Sequence, residues 1–298
     1  MNKVGILIDS CCEFDEKWLK KINGDLVPLV FSDGNGKTYN DDKIEITRDI
    51  LFDKQSHGLI FKSASTPLGI LMDKITDLLK TNHHVVYFPV SSGLSTQFSN
   101  GKLMEEEFGD KLVVVKTASA VAVNKWIIDD FVKNINSGVE ILEAKEIAEE
   151  EYKNTATLFS LDKVEGLARS GRGTKLIIDA MKVLKLKPII ELYTKIHFGG
   201  IGKKFENIID RMIKKIKKIW GNAKLNSDSI TNVAILDGGI EKSKLQIIKN
   251  KLISAFGIKS EKIENVYFPL IVLIHTLKGA YGIQIKSNMK REILKWED

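Results

Sequence analysis

Val85-Val86-Tyr87-Phe88-Pro89-Val90-Ser91-Ser92-Gly93-Leu94-Ser95 passes from an apolar stretch straight into a hydroxyl turn, with no charged residue between. A continuous apolar run, as opposed to an alternating one, marks a strand buried on both faces. Reading outward, the same pattern occurs at residues 4–8, which end in Asp9-Ser10, and at residues 112–115. Residues 26–31 form a further strand ahead of the turn Asp33-Gly34-Asn35-Gly36. Helical periods lie between them: Leu68, Leu71, Met72, Ile75, Leu78 and Leu79 in one, residues 121–132 in another. Strands alternating with helices predict an α/β domain, a mostly parallel sheet with flanking helices.

The pattern changes near residue 155. A helical, acidic stretch at residues 141–152 leads into Ala156-Thr157-Leu158-Phe159, and short helices are read at residues 162–168 and 176–184. Residues 188–193 and 195–198 read as strands close enough to pair, with Gly199-Gly200 ending the second. Phe205, Ile208, Ile209, Met212, Ile216, Ile219 and Trp220 form one stripe of a helix. Its other face carries Arg211, Lys214, Lys215, Lys217 and Lys218, which reads as a solvated face or as a patch for an acidic partner or anionic lipid. Strands follow at residues 233–236, 266–268 and 281–285, and the apolar run 267–274 is strand-sized. Two domains are expected: an N-terminal α/β domain over residues 1–155 and a C-terminal mixed α/β domain over residues 156–298.

At 298 residues the chain suffices for two such domains, and its 43% hydrophobic and 28% charged residues belong to a soluble globular protein. No apolar run approaches the about eighteen residues of a membrane span. The chain opens on a strand pattern without the apolar core of a signal peptide, and its two cysteines, Cys11 and Cys12, are adjacent and make a poor structural staple. Both features lead us to expect a cytoplasmic protein. The net charge of +6 is carried by lysine; arginine occurs only at Arg48, Arg169, Arg172, Arg211 and Arg291. Readers of nucleic acid lean on arginine for bidentate contacts, so no nucleic-acid partner is expected.

Enzyme motifs fail on spacing. Gly93-Leu94-Ser95-Thr96-Gln97 lacks the second glycine of a nucleophile elbow, and around Gly202-Lys203 a phosphate loop is broken by His197 and Lys204. No Gly-x-Gly-x-x-Gly follows the first strand. His57, His83, His84, His197 and His275 show no ligand spacing, so no metal and no cofactor are expected.

Three polar clusters remain: Lys62-Ser63-Ala64-Ser65-Thr66-Pro67 before a helix, Ser91-Ser92-Gly93-Leu94-Ser95 at the end of a strand, and His275-Thr276 after an apolar run. Helix capping is the simpler reading of the first two, and a hydrogen-bonded core histidine that of the third. Yet ligands of parallel α/β sheets bind beyond the carboxyl ends of the strands, where helix N-termini favour an anion.

These segments, with four others, stand in a recognisable order. Asp9-Ser10 follows the first strand; then come Tyr39-Asn40-Asp41, Lys62-Ser63-Ala64-Ser65-Thr66-Pro67-Leu68-Gly69, Val90-Ser91-Ser92-Gly93-Leu94-Ser95, Ser170-Gly171-Arg172, Leu186-Lys187-Pro188-Ile189, and His275-Thr276-Leu277-Lys278-Gly279-Ala280-Tyr281-Gly282. Along essentially its whole length the chain resembles the DegV family, which includes the fatty-acid-binding subunits of bacterial fatty acid kinase. It departs from the family pattern at Ser63 (usually Thr), Ala64 (usually Ser), Lys116 (usually Asp) and Leu277-Lys278 (usually Gly-Pro).

The resemblance implies a two-domain DegV-like fold and a long-chain fatty acid in a tunnel between the domains. It assigns the carboxylate to Ser63, Ser91 or Ser92, and His275 with its neighbour Thr276. Arg172 would match an arginine at the tunnel mouth where the kinase docks, and Lys278 is a second cation in that region. The chain would be a non-catalytic subunit; a separate kinase would bind ATP and form the acyl phosphate that serves phospholipid synthesis. A carrier of this kind also implies transient contact with a membrane surface. The residues alone leave open a free-standing enzyme of acyl or phosphoryl chemistry using Ser91, Ser92 and His275, and a binder of another hydrophobic ligand.

Overall fold

The structure, a computed structural model, describes residues 3–166, 181–221 and 225–291. Contacts divide the chain into two units: Met1–Tyr152 with Pro269–Ile271, and Lys153–Phe268 with Val272–Asp298.

In the first unit, β1 (Val4–Asp9), β2 (Gly24–Val27), β6 (His84–Phe88) and β7 (Leu112–Val114) form a parallel sheet in the order β2-β1-β6-β7. Ile8 is in register with Leu26 on one side and Phe88 on the other, so the carboxyl ends of β1 and β6 finish together. Side chains alternate between faces. Leu7, Val85 and Tyr87 pack with Leu71 and Ile75 of α3 (Leu68–Leu79) and Met104 of α4 (Gln97–Phe108). On the opposite face Phe88 meets Phe131 of α5 (Ala122–Asn136), ring centroids 5.2 Å apart. The helices α1 (Glu16–Lys21), α2 (Arg48–Ser56) and α6 (Ile141–Glu151) complete the unit. A small antiparallel sheet, β4 (Thr38–Asn40), β3 (Val30–Asp33) and β5 (Phe61–Ala64), stands beside the parallel one. Its core is the aromatic cluster Phe31, Tyr39 and Phe61.

The second unit is built on a six-stranded mixed sheet. β8 (Thr155–Ser160), β9 (Lys187–Tyr193), β10 (Lys195–Gly202), β11 (Ile230–Gly238), β12 (Ile263–Tyr267) and β13 (Ala280–Ser287) lie in the order β10-β9-β8-β13-β11-β12. Among the described residues, only β11 and β12 pair in parallel in this sheet. One face is covered by α7 (Phe205–Ile219) and α8 (Lys242–Phe256), which bury Ile208, Met212, Ile216, Ile248 and Leu252 against Leu158, Ile235 and Ile283. The stripe that predicted α7 is the buried one. Its cationic face is only partly free: Lys215 reaches Glu191 at 3.0 Å, and Arg211 donates to the Ile201 carbonyl. The last helix is α9 (Leu270–Thr276).

Four expectations need correction. Residues 26–31 are not one strand; the ladder breaks at Pro28-Leu29 and its halves, β2 and β3, join different sheets, because proline has no N–H to give. The strand expected at residues 266–268 spans 263–267 instead, and the apolar run after it is helical. β12 ends at Tyr267 and α9 begins after Pro269, whose fixed φ suits a helix start. β10 does not stop at Phe198; its register shifts between Phe198 and Gly200, a bulge that Gly200 permits at φ +134°, and pairing resumes to Gly202. Finally, Ser63 lies in strand β5 and not in a turn. The expected helices at 162–168 and 176–184 fall largely outside the described residues.

Candidate functional site

Where β6 ends, the chain makes a tight turn in which Leu94 and Ser95 N–H groups both donate to the Ser91 carbonyl. Ser91 is buried and Ser92 exposed. Two neighbouring segments hold this turn. Asp9, the last residue of β1, accepts from Cys11 N–H through Oδ1 at 2.9 Å and from Val90 N–H through Oδ2 at 2.5 Å. The Thr117 hydroxyl, beyond β7, donates to the Pro89 carbonyl at 2.6 Å.

The turn that follows β5 is bonded to this one. Ser65 Oγ lies 2.6 Å from Thr96 Oγ1 and 3.3 Å from Ser95 Oγ. Gln97, fully buried at the start of α4, accepts from Thr66 N–H and donates to Thr66 Oγ1, and that hydroxyl donates to the Pro28 carbonyl. Capping accounts for part of the second turn, where Ser95 Oγ accepts from Gln97 N–H at 3.2 Å, while the residues directly preceding α3 and α4, Pro67 and Thr96, make no side-chain cap bond. The hydroxyls are used to lock one turn to the other. What results is a set of neutral hydroxyls shared between the end of the parallel strand β6 and the end of the antiparallel strand β5, chemistry that can solvate a carboxylate without a buried cation. Ser63 is exposed on β5 beside these hydroxyls.

In the second unit, His275 is half-buried in the last turn of α9, and Thr276 is buried with its hydroxyl oxygen lacking a partner among the described residues. A buried hydroxyl without a partner costs free energy, so it points to a group that completes it. Gly166 packs directly on the same backbone: a Cβ there would stand 1.8 Å from the His275 carbonyl oxygen. Leu277 closes α9 through its N–H to the Leu273 carbonyl, in the left-handed region at φ +61°. A non-glycine residue pays roughly 1 kcal/mol there. Leu277→Gly is therefore expected to raise the thermal midpoint; an unchanged or lower midpoint would show that packing of the leucine side chain outweighs the strain. Lys278 is exposed. Arg172 lies outside the described residues.

Sequence reasoning missed Gln97, Thr117 and Gly166. Gln97 had one signal, a polar residue on a helix face about to be buried; Thr117 and Gly166 had none, because their roles depend on distant partners. No cluster of metal-ligating side chains occurs among the described residues, nor any helix long and apolar enough to cross a membrane.

Known proteins with this architecture can now be set beside it. A DegV domain-containing protein of Ureaplasma parvum is 28% identical over 287 residues, 96% of each chain. Among solved structures, a fatty-acid-binding DegV family protein of Thermus thermophilus superposes with a TM-score of 0.81 at 20% identity, covering 96% of this chain and 99% of that one. A stearic-acid-binding protein of Eubacterium ventriosum gives 0.80 at 22% identity, covering 96% and 98%. The sequence model of the DegV family matches residues 3–288, and this chain belongs to the DegV family.

Proposed function

We propose that the protein binds a long-chain fatty acid and presents its carboxylate to a separate ATP-dependent kinase, without catalysing a reaction itself. The carboxylate is received by hydroxyls of Ser63, Ser91 and Ser92 and by His275 and Thr276, with Arg172 and Lys278 available to the docking partner. The observation that carries this reading is the pair of interlocked hydroxyl turns, Ser65 to Thr96 and Thr66 to Gln97, one beyond the parallel strand β6 and the other beyond β5 of the antiparallel sheet. Neutral donors preorganised in this way suit a carboxylate that must remain reactive. Burial of the acyl chain contributes about 0.8 kcal/mol per methylene, so the tail supplies the affinity and the head the orientation. The fatty-acid-binding relatives from Thermus thermophilus and Eubacterium ventriosum support the ligand class.

Mass spectrometry of lipid extracted from the purified protein is expected to find stoichiometric long-chain fatty acid. Ser91→Ala with Ser92→Ala should weaken binding by roughly 1.5–3 kcal/mol for each lost bond to a charged group, with the melting temperature retained. Undiminished affinity would remove this turn from the site. Acyl phosphate formed from ATP by the chain alone would overturn the non-catalytic assignment.

A further inference from the structure

Two buried carboxylates are bonded to backbone close in sequence to the proposed headgroup residues, and the reading above gives them no part. Asp9 and Asp41 are 0% and 1% exposed. Asp9 holds the N–H of Val90, the residue immediately before Ser91. Asp41, just beyond β4, accepts from Ile271 N–H at 3.1 Å across 230 residues of sequence. Ile271 is in the first turn of α9, the helix that ends in His275 and Thr276.

We propose that Asp9 and Asp41 are positioning residues of the headgroup site, Asp9 through the Val90–Ser91 backbone and Asp41 through the first turn of α9. The ligand in this proposal rests on the fatty-acid reading; the geometry does not.

In its ionised form Asp9 uses both of its oxygens as acceptors, each facing a backbone N–H; an asparagine would turn an amide nitrogen towards a donor at every pH. The two acids also sense each other. Burial pushes both up to about 7, and the charge of Asp41 raises Asp9 further. The N–H groups of Val90 and Cys11 pull Asp9 the other way. On Asp41 the Ile271 and Leu270 N–H groups, the Ser10 hydroxyl and the exposed Lys43 do the same. Around Asp9 stand Cys12, Tyr87 and Tyr152, whose own ionisation burial suppresses first and the charge of Asp9 suppresses further. Lys125, Glu13 and Asp129 act on Cys12. The pair is thus poised to exchange a proton near neutrality while gripping two pieces of backbone that lead to headgroup residues.

The test measures amide hydrogen exchange and palmitate affinity in the full chain, from about pH 5 to about pH 9. Asp9→Asn is expected to lower protection at the Val90 and Ser91 amides, and Asp41→Ala at Ile271, each by roughly tenfold or more. Palmitate affinity should fall by about the same factor in both, with a flatter pH profile, and Asp41→Asn, which keeps one acceptor oxygen, should recover part of the loss. Unchanged exchange in folded variants overturns the proposal. Should the variants not fold, the wild-type protein decides: its Val90 and Ile271 amide resonances are expected to titrate together near neutrality. Resonances that respond to the titration of neither acid at any pH overturn it as well. Wild-type protein that binds no palmitate defeats the choice of ligand alone, since exchange and titration read the positioning without it.

Discussion

Gly166→Ala is expected to destabilise the second unit by about 1–3 kcal/mol or more and to abolish fatty-acid binding, although the change adds a single methyl group. The new Cβ would lie 1.8 Å from the His275 carbonyl oxygen and 2.8 Å from its carbonyl carbon. Both obstructing atoms are backbone, so no rotamer change relieves the overlap, and either residue 166 or the end of α9 must move. Gly166 does not occupy the left-handed region, so the effect is steric and not conformational. Because α9 is only seven residues long and Gly279 N–H is bonded to the Gly238 carbonyl, the segment around His275 has little slack in which to absorb an ångström. Thermal unfolding with palmitate titration is the measurement. His275→Ala is the comparison, expected to weaken binding with a much smaller loss of stability. A Gly166→Ala protein with wild-type melting and affinity would show that this backbone contact yields freely and that His275 needs no such support.

How much of this was legible in the sequence depends on the range of the interactions. β1, β6, α3 and α7 were readable because continuous apolar runs and a single apolar stripe are local consequences of burial on two faces or on one. The run 26–31 was misread because its composition is apolar throughout; only Pro28 marks the change of sheet, and a proline can equally stand at a strand edge. The helix within 267–274 was not foreseen for a related reason. Leu270, Ile271, Leu273 and Ile274 are buried on nearly all sides, which erases the period that separates a helix from a strand. Ser91 and Ser92 were legible as candidates since a hydroxyl turn after a buried strand has a local signature. Gln97 was not, as its partner lies at Thr66, and Asp41 stood out only within Tyr39-Asn40-Asp41, without its bond to Ile271. The departure at Leu277 gains a physical meaning only with its φ of +61°: the leucine stands in a backbone conformation that favours glycine.

Stability of the protein should fall, not rise, as pH increases from about 4 to about 7, and the double substitution Asp9→Asn with Asp41→Asn should remove most of that slope. In the unfolded chain both aspartates ionise near 3.8; in the folded one burial holds both up to about 7. Between those values the native state binds more protons than the unfolded state, so folding weakens with each step up in pH. The stabilisation is fully present below the unfolded value and is lost as pH rises through the folded one. Each pH unit of displacement corresponds to about 1.4 kcal/mol, so the pair commands several kcal/mol, large against the about 5–15 kcal/mol of a typical fold. Asp33 and Asp77 act oppositely. Hydrogen bonds from the Lys37 and Asn35 N–H groups and the Tyr39 hydroxyl outweigh desolvation at Asp33, and Lys80 lowers Asp77, so both favour the native state above their ordinary values. Asp77 is solvent-screened, and the contribution of both is complete by about pH 5, which leaves the upper part of the window to the buried pair. Urea midpoints measured at about pH 5 and about pH 8 separate the two groups. The wild type should have the lower midpoint at the higher pH, and the double variant nearly equal midpoints. Since the two acids repel, protons should leave in two steps, the second above the first, and a shallow slope should persist past neutrality. A wild-type midpoint that climbs through this window, with the same slope in the double variant, would mean that Asp9 and Asp41 are ionised together in the native state and that their N–H donors, not burial, govern them.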